Sequence, residues 1–252
     1  MPANRGDAAV TTLFISDLHL DTAHADILQR FVGFVDGEAR RADALYILGD
    51  LFESWTGDDD ADAGQRAATA ALRRLTDGGV PCFIMHGNRD FLLGDTFCRD
   101  AGATLLPDPV MLWLHGRQVL VMHGDALCSG DRSYQRLRAT VRHPDWQRRF
   151  LSLPAGARRL LAEAARAGSQ AHTAGLAYAI ADVSQDSVDA VLRAAGADCL
   201  LHGHTHRPGV HRFMLDGRER QRIVLGDWYE HGSVLRWNAQ GFELAGLADA
   251  TR

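Results

Sequence analysis

The chain has 252 residues, 46% hydrophobic and 23% charged, with a net charge of -5. That length is enough for one large domain with a full core, and so ordinary a charge balance singles out no polyanionic partner. The four cysteines (Cys82, Cys98, Cys128 and Cys199) form no C-x-x-C pair, which argues against a disulfide scaffold or a zinc–cysteine site and for a reducing compartment.

The start, "MPANRGDAAV", lacks an apolar leader, so no secretory signal is expected. No run of about 18 apolar residues exists, so no membrane-spanning segment is expected. The first half then alternates between strand and helix patterns. "TTLFIS" (11–16) reads as a buried strand, 26–40 as a helix, and "ALYILGD" (44–50) as a second strand. Residues 62–79 read as a helix closed by glycines and 80–88 as a third strand. Two further strand runs follow at 110–116 and 117–125, and the chain is strand-like again after 207. Alternating strand and helix predicts an α/β architecture, and two sets of strands predict two sheets.

Residues 131–190 differ. They look helical, with breaks near Pro144 and Pro154, and Tyr134, Leu137 and Val141 fall on one helical face. Nine arginines between 131 and 166 face only Asp131, Asp145 and Glu163. This reads as an inserted helical cap on a single domain covering 1–252.

Five short stretches share one logic: an apolar strand ends in a side chain that can bind a metal, often beside a glycine. They are "ISDLHLD" (15–21), "ILGDLFESW" (47–55), "MHGNRDF" (85–91), "VMHGD" (121–125) and "HGHTHRP" (202–208). Ligands at strand ends gather along one sheet edge, where α/β proteins place their sites. Asp17 and His19, two apart, point the same way if the segment is extended, as do His204 and His206. Asp50 and Asn88 add oxygen donors and His123 another nitrogen. Mixed Asp, Asn and His donors suit Mn²⁺, Fe²⁺ or Zn²⁺. Seven donors are too many for one ion and about right for two sharing a carboxylate, a pair that can activate water and clamp a phosphoryl group.

The five motifs, in this order, resemble the calcineurin-like metallophosphoesterases. The resemblance implies two stacked mixed β-sheets flanked by helices (α/β/β/α). It gives one metal Asp17, His19, Asp50 and His206, and the other Asp50, Asn88, His123 and His204, with Asp50 bridging. His202 is left as either an orienting partner or a buried structural histidine. The longer strings "GDLFESWTGDD", "HGNRDFLLG", "HGDALCSGD", "IADVSQ", "HGHTHRP" and "GDWYEHGSV" resemble one family in particular, the UDP-2,3-diacylglucosamine pyrophosphatases of lipid A biosynthesis.

That resemblance implies water attack on the α-phosphorus of UDP-2,3-diacylglucosamine, giving UMP and 2,3-diacylglucosamine 1-phosphate. It also implies two Mn²⁺ per chain, other divalent metals being usable, and a cytoplasmic chain peripheral to the inner membrane of a Gram-negative bacterium. Asp50, Asn88 and Arg89 would be catalytic, with Asn88, Arg89, Asp131, Ser169, Thr173, Leu176 and His204 contacting substrate. Leu176 departs from the family pattern, since it offers neither charge nor hydrogen bond. Many metallophosphoesterases carry histidine where this chain has Arg89. A phosphate leaving group needs little protonation, and a guanidinium instead offsets charge on the diphosphate. Phe52, Trp55 and Tyr134 are further candidates for nucleotide or sugar contact, or for plain packing. The arginine-rich cap would cover acyl chains and meet membrane lipid headgroups. A monomer that binds no nucleic acid is expected. Alternatives at this point are another nucleotide diphosphate as substrate, or a catalytically dead scaffold.

Overall fold

The structure, a computed structural model, describes residues 11–174, 182–229 and 232–247, with side chains described up to 168 in the helix that ends at Ala174. Strands β1 (Thr12–Ile15), β2 (Ala44–Ile47), β3 (Cys82–Met85) and β4 (Thr104–Leu106) run parallel to one another; beyond β1, β10 (Ser233–Asn238) pairs antiparallel with β1 and β11 (Gly241–Gly246) antiparallel with β10. Helices α1 (Ala25–Asp36), α2 (Ala63–Asp77) and α3 (Asp95–Ala101) join the parallel strands. The second sheet, in the order β5-β6-β7-β9-β8, contains β5 (Val110–Leu114), β6 (Arg117–Val121), β7 (Cys199–His202), β8 (Gly209–Leu215) and β9 (Arg218–Val224). Two sheets are therefore present, as the two sets of strand patterns predict.

Side-chain alternation builds the layers. In β1, Leu13 and Ile15 face one core with Ile27 and Phe31 of α1, while Phe14 faces a second core between the sheets with Val119, Val121 and Leu201. In β6 and β7, Leu120 and Leu200 turn outward onto Val188 and Leu192 of α7 (Gln185–Ala195). The layers are thus helix, sheet, sheet, helix. Helix α1 fits its face because Ile27, Phe31, Phe34 and Val35 recur at helical spacing. Asp62 and Gln65 close a reciprocal capping box at the start of α2.

Between β6 and α7 lie α4 (Arg132–Val141), α5 (Pro144–Leu151) and α6 (Ala155–Ala174). Pro144 opens α5, where its missing N–H is harmless, and Pro154 immediately precedes α6. The strands β1, β2 and β3 of one sheet and β6 and β7 of the other end at the same edge of the sandwich.

Candidate metal centre

Seven non-glycine residues among those described have positive φ. His115 and Asp216 are two of them, each followed by a positive-φ glycine in the tight turn of a β-hairpin. The other five are Asp17 (56°), His19 (49°), Asp50 (51°), His204 (68°) and His206 (55°). A left-handed conformation costs a non-glycine residue about 1–3 kcal/mol and persists only where its surroundings enforce it. The expectation that Asp17 and His19 share a direction because the chain is extended is therefore corrected. Left-handed kinks after β1, β2 and β7, not an extended segment, turn these five side chains inward.

These five residues, with His123 and Asn88, form two clusters. Asp17, His19 and His206 form one, and Asp50, His123 and His204 the other, with the donor atoms of each cluster within 4.8 Å of one another. Asp50 Oδ2 lies between them, 3.7 Å from His19 Nε2 and 3.7 Å from His123 Nε2. Asn88 Oδ1 joins the second cluster, 3.0 Å from His123 Nε2 and 2.8 Å from His204 Nδ1. In the first, Nε2 of His19 and Nε2 of His206 face each other at 3.2 Å. All seven sequence candidates thus converge.

Close approach between the loops requires glycine. A Cβ on Gly87 would come within 2.0 Å of Asp50 Oδ1, and one on Gly203 within 2.3 Å of Asp17 Oδ2. The ring nitrogens facing away from the clusters are engaged as well. His123 Nδ1 donates to the carbonyl of Leu48 at 2.8 Å, His206 Nδ1 lies 3.4 Å from Asp227, and His19 Nδ1 lies 2.8 Å from Glu53 Oε2 in a close but bent contact. Such partners set the tautomer and aim the remaining nitrogen inward.

The charges fit a cation. Burial raises the carboxyl of Asp50, with Asp90 and Asp17 adding to it. Burial opposes a charged His123, yet Asp50, Asp125 and Asp17 hold its pKa up at about 9. Asp17 Oδ1 is buried and makes no hydrogen bond, although His206 Nε2 stands 3.4 Å away. Unpartnered oxygen, crowded carboxylates and convergent imidazoles are what a pair of divalent ions would satisfy.

The model of the calcineurin-like phosphoesterase family matches residues 10–208. A protein named UDP-2,3-diacylglucosamine hydrolase from Stenotrophomonas maltophilia is 49% identical over 246 residues, covering 95% of this chain and 99% of that one. Another of the same name from Pseudomonas paraeruginosa is 49% identical over 236 residues, covering 94% and 98%. The chain belongs to the calcineurin-like phosphoesterase family. That family uses divalent metals, and the two clusters give this phosphoesterase two places for them.

Beside the second cluster of the phosphoesterase opens a cavity of about 630 Å³. Asn88, Arg89, Glu53 and Arg166 line it together with the apolar Leu137, Val141, Trp146, Phe150, Leu153 and Leu161 and with Arg138, Arg142 and Arg149. The face predicted for Tyr134, Leu137 and Val141 is the one turned to this cavity. Tyr134 donates to Asp125 Oδ2 at 2.7 Å and stacks 6.3 Å from the ring of His204, so it packs α4 onto the site. Phe52 and Trp55 stack with each other and meet Phe97 edge-on in the core. Phe52 is fully buried there, which removes it as a substrate contact.

The remaining candidates fall elsewhere. Asp131 is the N-cap of α4, accepting from Tyr134 N at 2.9 Å, and is not among the residues lining the cavity. The side chains of Ser169 and Thr173, and Leu176 altogether, lie outside the described residues. His202 joins neither cluster. It is fully buried behind them, bonded through Nδ1 to Gly203 O at 2.8 Å, and burial pushes its pKa down to about 4. Four charged residues escaped the sequence reading. Asp90 ties the Asp50 loop to the Asn88 loop, and Asp125 binds Arg138 Nε at 2.8 Å to hold α4 against β6. Glu53 and Arg166 both line the cavity and lie 3.7 Å apart. Glu53, Asp90 and Asp125 lie within the quoted motifs, yet nothing in their spacing reveals these partners; Arg166 lies outside every motif.

Proposed function

We propose that this phosphoesterase hydrolyses the pyrophosphate of UDP-2,3-diacylglucosamine to UMP and 2,3-diacylglucosamine 1-phosphate, in lipid A biosynthesis. The observation that carries this reading is the apolar cavity opening on Asn88 and Arg89. A phosphoryl site with that neighbour suits a diphosphate with a long apolar group attached. The relatives' names point to the same substrate.

Asp17, His19, Asp50 and His206 would hold one divalent ion, and Asp50, Asn88, His123 and His204 the other, with Mn²⁺ as the metal. Bound ions supply a low-pKa water and neutralise phosphoryl charge. The water oxygen bonds to the α-phosphorus and leaves in UMP, while the bridging oxygen departs with the lipid phosphate. Arg89 has no acid role, since a phosphate monoester leaves readily. Its guanidinium faces the diphosphate and offsets the charge gained in the transition state. Leu137, Val141 and Phe150 take the acyl chains out of water.

Helices α4 to α6 act as a cap inserted into a single domain. Among the described residues no helix is long and apolar enough to cross a membrane. We place the chain, as a monomer, on the cytoplasmic face of the inner membrane, reached through the cap. Exposed Leu151, Leu160 and Leu161, at 41%, 68% and 51%, supply apolar contact. The arginines contribute less than their number suggests. Arg158 is buried against Asp59 and the carbonyl of Thr56, and Arg138 and Arg142 turn in toward Asp125.

The test is hydrolysis in ¹⁸O-water by metal-stripped protein, with and without Mn²⁺. UMP carrying one ¹⁸O, formed only with Mn²⁺, is expected. Label in the lipid phosphate, or equal turnover in EDTA, would refute the reading.

A further inference from the structure

Glu53 stands among three side chains supplied by three separate segments. Its Oε2 lies 2.8 Å from Nδ1 of His19, in the loop after β1. Its Oε1 lies 3.8 Å from Nη1 of Arg89, in the loop after β3, and 3.7 Å from Nη1 of Arg166, on α6. Its own backbone is fixed to the His19 loop, for Glu53 N donates to Leu20 O at 3.1 Å and a parallel bridge pairs Leu20 with Phe52. The carboxylate is 15% exposed, so these contacts are largely shielded from water.

We propose that Glu53 is a positioning residue with a separate task for each oxygen: Oε2 holds His19 with Nε2 turned to the metal cluster, and Oε1 gathers Arg89 and Arg166 so that α6 closes over the diphosphate. A neutral imidazole carries one N–H. An acceptor at Nδ1 keeps the proton there and leaves the Nε2 lone pair for a cation. The two arginines sit beyond the 2.7–2.9 Å or so of a tight charge-assisted hydrogen bond, so they are gathered but not locked. A phosphate offers a guanidinium better two-pronged geometry than this shared oxygen does. Both arginines therefore pass to substrate without moving far. Glu53 is in neither metal cluster, which separates this role from that of a ligand.

The inference rests on the metal-centre reading, and the experiment keeps the two apart. Full-length protein is stripped of metal and titrated with Mn²⁺ by calorimetry as wild type, Glu53→Ala and Glu53→Gln. Steady-state kinetics on the acylated substrate follow. Glu53→Ala is expected to lose about 10–100-fold in affinity at one of two sites and to keep the other, the range typical when a ligand's orienting partner is removed. Glu53→Gln still offers His19 an amide oxygen but turns an NH₂ toward two guanidiniums. It is expected to keep wild-type Mn²⁺ affinity and raise KM about fivefold, the scale of one loose ion pair, with kcat little changed.

A wild-type chain that takes up no Mn²⁺ overturns the metal-centre reading and this inference with it. Two ions in wild type beside unchanged affinity in Glu53→Ala overturns this inference alone. So does an unaltered KM in Glu53→Gln, a result that stands even if the alanine variant does not fold. A collapse of kcat in Glu53→Gln at normal KM and metal affinity makes Glu53 a catalytic group, which also overturns it.

Discussion

Asp90 carries the backbone of Asp50. Its Oδ1 accepts the N–H of Asp50 at 3.3 Å and that of Gly87 at 2.8 Å, while Oδ2 accepts from Leu51 at 2.8 Å and Phe52 at 3.4 Å. The left-handed kink that aims Asp50 is thus held by a fully buried carboxylate from the neighbouring loop. Asn at this position would keep one acceptor oxygen and present NH₂ to amides that need an acceptor. Asp90→Asn should lose about 1–3 kcal/mol for each amide left unpaired. The urea midpoint should fall with the slope unchanged, and Mn²⁺ affinity should fall with it. An unmoved midpoint would show that the loops hold their shape without Asp90.

Asp50→Ala should abolish turnover and loosen both ions, because its Oδ2 is equidistant from the two clusters. Elemental analysis of the purified variant checks this. Two metals per chain with near-normal rate would remove Asp50 from the bridging position.

The strand-end ligands were legible because each follows an apolar run and a turn residue, a local pattern. Both sheets and the cap's helices were legible for the same reason. What escaped was non-local. Asp90 matters only because a loop 40 residues earlier folds onto it. Arg166 looked like one more member of a solvated charge run, and only the path of α6 brings it to Glu53. The three-residue β4 is too short for alternation to show, and β7 was masked by the histidine motif it leads into. Asp17 and His19 meet in one cluster through a left-handed backbone, which spacing cannot reveal.

Arg89→Ala should lower kcat by about 10²–10³, the loss typical of removing one transition-state donor. Metal content should stay at wild-type level, since Arg89 joins neither cluster. Arg89→Lys should recover part of the rate, because a lysine keeps the charge but not the planar fork. Steady-state kinetics decide the point: a raised KM with kcat unchanged would mean that Arg89 only binds ground-state substrate.

Leu160→Ser should weaken partition onto lipid vesicles about tenfold, roughly the loss expected from about 1.5 kcal/mol of apolar burial. Binding to anionic vesicles should also fall as salt rises, since exposed Arg148 is open to screening. Flotation assays with neutral and anionic vesicles measure both effects. Arg158→Ala, by contrast, should act on cap stability and not on lipid charge, since Arg158 is buried against Asp59. A Leu160 variant that floats like wild type would remove the cap from the membrane contact.

If the metal centre and the apolar cavity act on one substrate, the acyl chains must matter to the rate. UMP release with Mn²⁺ is compared for UDP-2,3-diacylglucosamine and for the same nucleotide sugar without acyl chains. Without the chains kcat/KM is expected to fall by at least about 10², the equivalent of about 3 kcal/mol of apolar contact. Equal kcat/KM for the two would contradict it, leaving a phosphoesterase that reads only the nucleotide diphosphate.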